Sequence, residues 1–223
     1  MKQMSESLKT GTLLAVVGGY LDAYTYTIRG CVFANAQTGN IAFFGMNIAN
    51  GNFKAALPYL IPVFSFVIGI LTAEKIRRSY SGMFHWRQMV IVLEMITLAV
   101  AGFIPCGAID NVVNCMISFV CAVQVQSFKR INGNAVSTTV CTGNLRSGTE
   151  YLHKFFRSRD RENLKIALIY IYMILLFTAG AVIGTVITSK LGVRAVWLCS
   201  APLAAVCIML SVKEIEQEDT EIE

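Results

Sequence analysis

Six uncharged or nearly uncharged apolar runs, at about 11–28, 55–73, 88–105, 110–128, 164–188 and 194–212, constrain this chain more than any other feature. Runs of roughly 18–25 apolar residues match the length that a helix needs to cross a hydrocarbon core of about 30 Å. Hydrophobic residues make up 55% of the 223 positions and charged residues 15%, too little charge to cover a water-soluble domain of this size. The expectation is one membrane domain over 1–223. Its first run begins like a secretory signal but lacks a small-residue cleavage site and carries Asp22, which points to a retained span. The acidic segment 213–223 is expected to be a disordered tail.

Within this apolar frame one tripeptide occurs twice. Thr38-Gly39-Asn40 lies in VFANAQTGNIAFFG and Thr142-Gly143-Asn144 in STTVCTGNLRSG, each following the first span of its half. Glycine permits backbone conformations and close approaches that other residues resist, and threonine and asparagine add short donors and acceptors. Such a segment between apolar runs predicts a broken or re-entrant helix, tolerated at membrane depth only where protein buries it or water lines it. Free N–H groups at a half-helix start would favour an anion and free carbonyls a cation, and the spacing leaves that choice open. So does it leave open the bland alternative, in which both breaks are turns satisfied by neighbouring helices.

Aligning the halves on the tripeptides gives three spans each, repeat 1 over about 11–105 and repeat 2 over about 110–212, with Asp22 opposite Gln126. An odd number of spans inserts the second half upside down, the inverted-repeat arrangement of many transport folds. The fold expected is therefore all-α: a polytopic membrane protein of six transmembrane helices in two inverted three-helix repeats. This arrangement places 15 of the 19 Lys and Arg residues on one side. That side should be cytoplasmic, with both termini. If 31–50 also spanned, the split would be 14 to 5 with the N-terminus outside; if both tripeptide regions spanned, 10 to 9. Six spans treats the halves alike.

Asp22 and Glu94 lie inside apolar runs, where an acid costs about 2.5–3.5 kcal/mol on insertion scales and so is paired, protonated or hydrated. A relay for protons or cations is one role for them. The structural alternatives are an Asp22 on the same face as Arg29 two turns away, and a Glu94 bonded to Gln124 or Gln126. Asp22, Thr38, Gly39, Asn40, Glu94, Gln126, Thr142, Gly143 and Asn144 form the candidate solute- or ion-binding set. No metal site, cofactor or catalytic set is expected: the seven cysteines lack a C-x-x-C pair, and His85 and His153 fall in charged loops. The basic cluster from His153 to Lys165 reads as an anchor on anionic lipid, not a nucleic-acid site. Gly180 and Gly184 form a G-x-x-x-G suited to close helix packing, one option being a homodimer contact.

GGYLDAYTY, VFANAQTGN and QSFKRINGNAVSTTVCTGNLRS resemble the YoaK-like family of uncharacterised bacterial multi-pass membrane proteins, a domain of unknown function. The resemblance implies six spans in the bacterial cytoplasmic (inner) membrane and no established activity. The function expected is a transporter or channel for a small polar solute or ion. The alternative is a non-transporting sensor, scaffold or assembly factor, and an enzyme is not expected.

Overall fold

The computed structural model describes residues 6–80 and 86–222, with 212–222 described by backbone alone. His85 lies outside the described residues. Among them the ordered structure is helical: α1 (Leu8–Ile28), α2 (Gln37–Ala49), α3 (Phe53–Tyr80), α4 (Trp86–Ala101), α5 (Asp110–Ser127), α6 (Cys141–Ser158), α7 (Arg161–Leu191), a 3-10 segment (Gly192–Cys199) and α8 (Ser200–Ile222). Two helical stretches, Phe53–Tyr80 and Arg161–Ser211, are long and apolar enough to cross a membrane. The segment expected as a disordered tail instead continues α8 to Ile222. Its Glu, Gln and Ile residues are compatible with helix and no Gly or Pro stops it.

Local chemistry sets several of the ends. The Ser7 hydroxyl accepts from the Thr10 N–H at 3.1 Å and opens α1. Asp160 does the same for α7, accepting from the Glu162 N–H at 2.9 Å. Arg159, in the left-handed region at φ 56°, separates α6 from α7.

Helix α2 leans on the long helix that follows it, α3, and α6 leans on α7. The long helices cross between halves: α7 packs along α1, and α3 along α5. Helices α4 and α8 close the bundle, α4 against α5 and α8 against α1 and α4. Outward faces of α3 and α7 carry exposed Phe64, Ile68, Leu71, Leu175, Val182 and Val186.

Backbone contact holds α1 to α7. A methyl on Gly184 would fall 2.8 Å from the Tyr20 carbonyl oxygen, and one on Gly180 would collide with the Val16 carbonyl. Gly19 meets the Phe177 backbone in the same way. The G-x-x-x-G is thus buried inside one chain, which removes it as a homodimer contact. Its small residues let two helices approach closely where apolar side chains would hold them apart. Gly180→Val is expected to lower the thermal unfolding midpoint in detergent by the equivalent of about 1–3 kcal/mol, the usual cost of overpacking. Cross-linking between protomers should not change.

Candidate functional site

The two tripeptides occupy equivalent places: Thr38-Gly39-Asn40 forms the first turn of α2 and Thr142-Gly143-Asn144 the first turn of α6. Both asparagines are buried and do the same work. Asn40 Oδ1 accepts from the Phe33 N–H at 2.9 Å, and its Nδ2 donates to the Phe33 carbonyl at 2.8 Å. Asn144 Oδ1 accepts from the Ser137 N–H at 3.1 Å, and its Nδ2 donates to the Ser137 carbonyl at 2.6 Å. Each side chain thereby satisfies both polar groups of one residue in the preceding loop and fixes the loop to the helix that leaves it. These asparagines are clamps; their side-chain atoms are occupied by backbone.

The loops run in opposite directions along α1. The first, residues 29–36, starts at the C-terminal end of α1 and doubles back. Asn35 Nδ2 donates to the Gly18 carbonyl at 3.2 Å, about 15 Å by helical rise from the end of α1. The second, residues 128–140, begins beside the N-terminal end of α1, where the Asn132 N–H donates to the Glu6 carbonyl at 2.7 Å and Ile131 packs on Gly11. It then advances until the Thr139 methyl touches Gly18, where an added Cβ would meet it at 2.5 Å. The two loop tips meet at one residue in the middle of α1.

Asp22, one turn further along α1, accepts from the Asn35 N–H at 2.6 Å. Gln37 completes the fastening, donating to the Ala34 carbonyl at 2.8 Å and to the Ser118 hydroxyl on α5 at 2.9 Å. Glu94 belongs to a different network, between α4 and α5: it is fully buried and accepts from Gln124 Nε2 at 2.7 Å through Oε2. Among the described residues no basic group pairs with either acid. Arg29 turns away from Asp22 to Asp110 at 2.8 Å.

A family model for a protein of unknown function, DUF1275, matches residues 10–209. The chain belongs to the DUF1275 family. No curated protein and no solved structure matches it. The family membership agrees with the resemblance at the level of an uncharacterised family and does not carry the YoaK-like name.

In this DUF1275 chain the nine candidate residues separate into groups. Asp22, Asn40 and Asn144 hold the loops. Gly39 admits the Phe33 ring, which a Cβ would meet at 2.9 Å, whereas Gly143 has nothing closer than Val140 at 3.5 Å. Thr38 and Thr142 are exposed on the outer faces of their helices. Gln126 lies in the last turn of α5, where it donates to Glu74, which also pairs with Lys129 at 2.9 Å. The buried glutamine is Gln124. His153 lies on α6 and not in a loop.

Sequence reasoning missed the groups left without partners. The Asn35 Oδ1 and the Thr138 and Thr139 hydroxyls are buried with no hydrogen bond, as are Glu94 Oε1 and the Thr188 hydroxyl. Their places follow the repeat, Asn35 and Thr139 each standing three residues before the threonine of their tripeptide, but their lack of partners does not show in the sequence. Buried polar groups are nearly always bonded, so a cluster of unbonded ones at two loop tips is where a polar ligand or water gains most.

Proposed function

We propose that the chain is a six-span membrane protein in which two re-entrant loops, entering from opposite faces, form a polar chamber that moves a small polar solute or ion. The observation that carries this reading is the convergence of Asn35 and Thr139 on Gly18. In this arrangement α1, α3, α4, α5, α7 and α8 span, and α2 and α6 are half-helices starting near the midplane. The apolar outward faces of α3 and α7 suit lipid, since a water-soluble protein rarely exposes such contiguous surface.

Reciprocal packing supports an inverted repeat. Exchanging the halves turns the α1–α7 contact into α5–α3, α2–α3 into α6–α7, and α4–α5 into α8–α1. One register that suits this exchange pairs Thr25, which donates to the Leu21 carbonyl at 3.0 Å, with Ser127, which donates to the Val123 carbonyl at 2.7 Å. Asp22 then corresponds to Gln124. The tripeptide alignment pairs Asp22 with Gln126 instead, and the two registers differ because the loop 128–140 is longer than the loop 29–36. The charge bias supports a cytoplasmic location for both termini in a bacterial inner-membrane protein. A non-transporting sensor or scaffold is the second reading, favoured by the charged outer surface of α6.

Flux into liposomes reconstituted with the full chain separates the two. Solute or ion flux is expected above protein-free vesicles. Gly18→Leu, which plugs the meeting point, should abolish it, and Gly18→Ala should reduce it. Fluorescence-detected gel filtration checks that each variant is folded. Vesicles no more permeable than lipid alone, for ions and small polar solutes with and without a pH gradient, would leave the non-transporting reading.

A further inference from the structure

The outward stripe of α6 changes chemistry along its length, and the change has the polarity of a lipid. In the arrangement proposed above, α6 starts near the midplane and leaves on the cytoplasmic side. Its deep end exposes apolar groups: the N-cap Val140 is 48% exposed and Leu145 60%. Its shallow end exposes the basic side chains His153, Lys154 and Arg157, neighbours on the same stripe. An open hollow of about 780 Å³ lies along this stripe, from Thr142 and Leu145 to His153 and Lys154. By helical rise its ends are about 18 Å apart. One leaflet of a core of roughly 30 Å is about 15 Å deep, so the hollow runs the depth of a leaflet and reaches its headgroup level.

The side chains in the hollow keep the same order. Arg146 starts in the deep half, but its Nε donates to Glu150 Oε1 at 3.0 Å, one turn nearer the surface. A long cationic side chain carries its charge out of hydrocarbon in this direction. Glu150, the one acid among the lining residues, is answered by the same bond. Lys154 Nζ lies 4.5 Å from the centre of the Tyr151 ring, a cation–π contact that holds it on the helix surface. Among the described residues neither Lys154 nor Arg157 is in an ion pair. Helix α2, the counterpart of α6, shows what these charges add. It exposes Ile41 and Met46 and contains no Lys or Arg. Acyl chains alone need no more than that; α6 adds cations where headgroups lie.

We infer that the α6 hollow seats an anionic phospholipid of the cytoplasmic leaflet, with an acyl chain along Val140 and Leu145 and the phosphate at His153 and Lys154, close to Arg157. Charge complementarity selects this occupant over a neutral lipid. A second copy of the chain fits the stripe poorly. Two copies in one membrane share their orientation, so a two-fold contact here would set cationic end against cationic end. The inference rests on the membrane placement of α6 in the reading above and requires no transport.

The test is the thermal unfolding midpoint of the full chain in neutral detergent, titrated with phosphatidylglycerol and, separately, with phosphatidylcholine of the same acyl chains. Phosphatidylglycerol should raise the midpoint saturably and phosphatidylcholine should not. Lys154→Gln should weaken half-saturation about fivefold or more, the effect of one cation near an anionic surface. Arg78→Gln removes an exposed cation at the end of α3 and should leave half-saturation unchanged. Thr149→Trp keeps every charge but fills the hollow, and should abolish the lipid response. Its midpoint without lipid should match the wild type, because Thr149 is exposed and its hydroxyl bonds within α6, to the Leu145 carbonyl. An equal response to the two lipids, a loss in Arg78→Gln as large as in Lys154→Gln, or a full response in Thr149→Trp overturns the inference. So does Thr149→Cys that cross-links to itself across two protomers, since a second copy would then occupy the stripe. Lipid binding without liposome flux sinks the transport reading and keeps the site. Flux without a preference for phosphatidylglycerol does the reverse.

Discussion

Arg29→Ala is expected to cost about 3–5 kcal/mol of unfolding free energy, the loss typical of removing one partner from a buried ion pair. Arg29 is 0% exposed, and its guanidinium reaches five acceptors. It donates to Asp110 Oδ1 at 2.8 Å and to the carbonyls of Ile104 at 2.7 Å and of Ala101 and Pro105 at 3.1 Å. It also donates to the Tyr24 hydroxyl at 3.1 Å. One side chain thus ties the end of α1 to the last residue of α4, to the connection that follows it and to the first residue of α5. Positive charge is favourable at a helix C-terminus, and Asp110 is well placed at the start of α5. Alanine strands the carboxylate and three carbonyls together. Arg29→Lys should lose less, because it keeps the charge but not the planar fork. Denaturant unfolding in micelles measures both. A loss under about 1 kcal/mol for alanine would show that the pair is solvated and dispensable.

Arg29 also shows where sequence reasoning stops. Helical spacing places it on the face of Asp22, and nothing local reveals that its partner lies 81 positions away, at the start of α5. The all-helical character and a break at each tripeptide were legible, since apolar run length and a repeated Gly between polar residues act locally. The side of the tripeptide on which each helix, α2 or α6, lies was not. A Thr-Gly-Asn segment can end a helix or begin one, and only the Asn40 and Asn144 clamps on residues upstream decide that both begin. Gly180 and Gly184 announced close packing without naming the partner, which is α1 of the same chain. The unpartnered groups at Asn35, Thr138 and Thr139 are invisible to composition, because lacking a partner is a property of the assembled bundle. Glu94 was the easier case: a buried acid needs a donor, and Gln124 is in the next helix, α5.

The asparagine clamps should be nearly as costly to remove as Arg29, and their loss should act on function by a different route. Asn40→Ala strands the N–H and carbonyl of Phe33, and Asn144→Ala strands those of Ser137. Each unsatisfied buried group costs about 1–3 kcal/mol, so either variant should lose about 2–4 kcal/mol, moderated because Phe33 and Ser137 are only half-buried. Asn40→Asp separates the two bonds. Its carboxylate can still accept from the Phe33 N–H, but it loses the 2.8 Å donation to the Phe33 carbonyl and sets negative charge against it. Aspartate should therefore be no better than alanine, although it nearly matches asparagine in shape. Hydrogen exchange distinguishes a clamp from a ligand group. If Asn40 holds the loop, Asn40→Ala should increase exchange across 29–40 and leave α7 protected. A ligand group would alter flux or binding with exchange in that loop unchanged, and that outcome would return Asn40 to the binding set. The corresponding experiment on Asn144 reads the loop 128–144. Loosening confined to the altered half would mean that the two tips converge on Gly18 by separate fastenings, each loop held by its own asparagine.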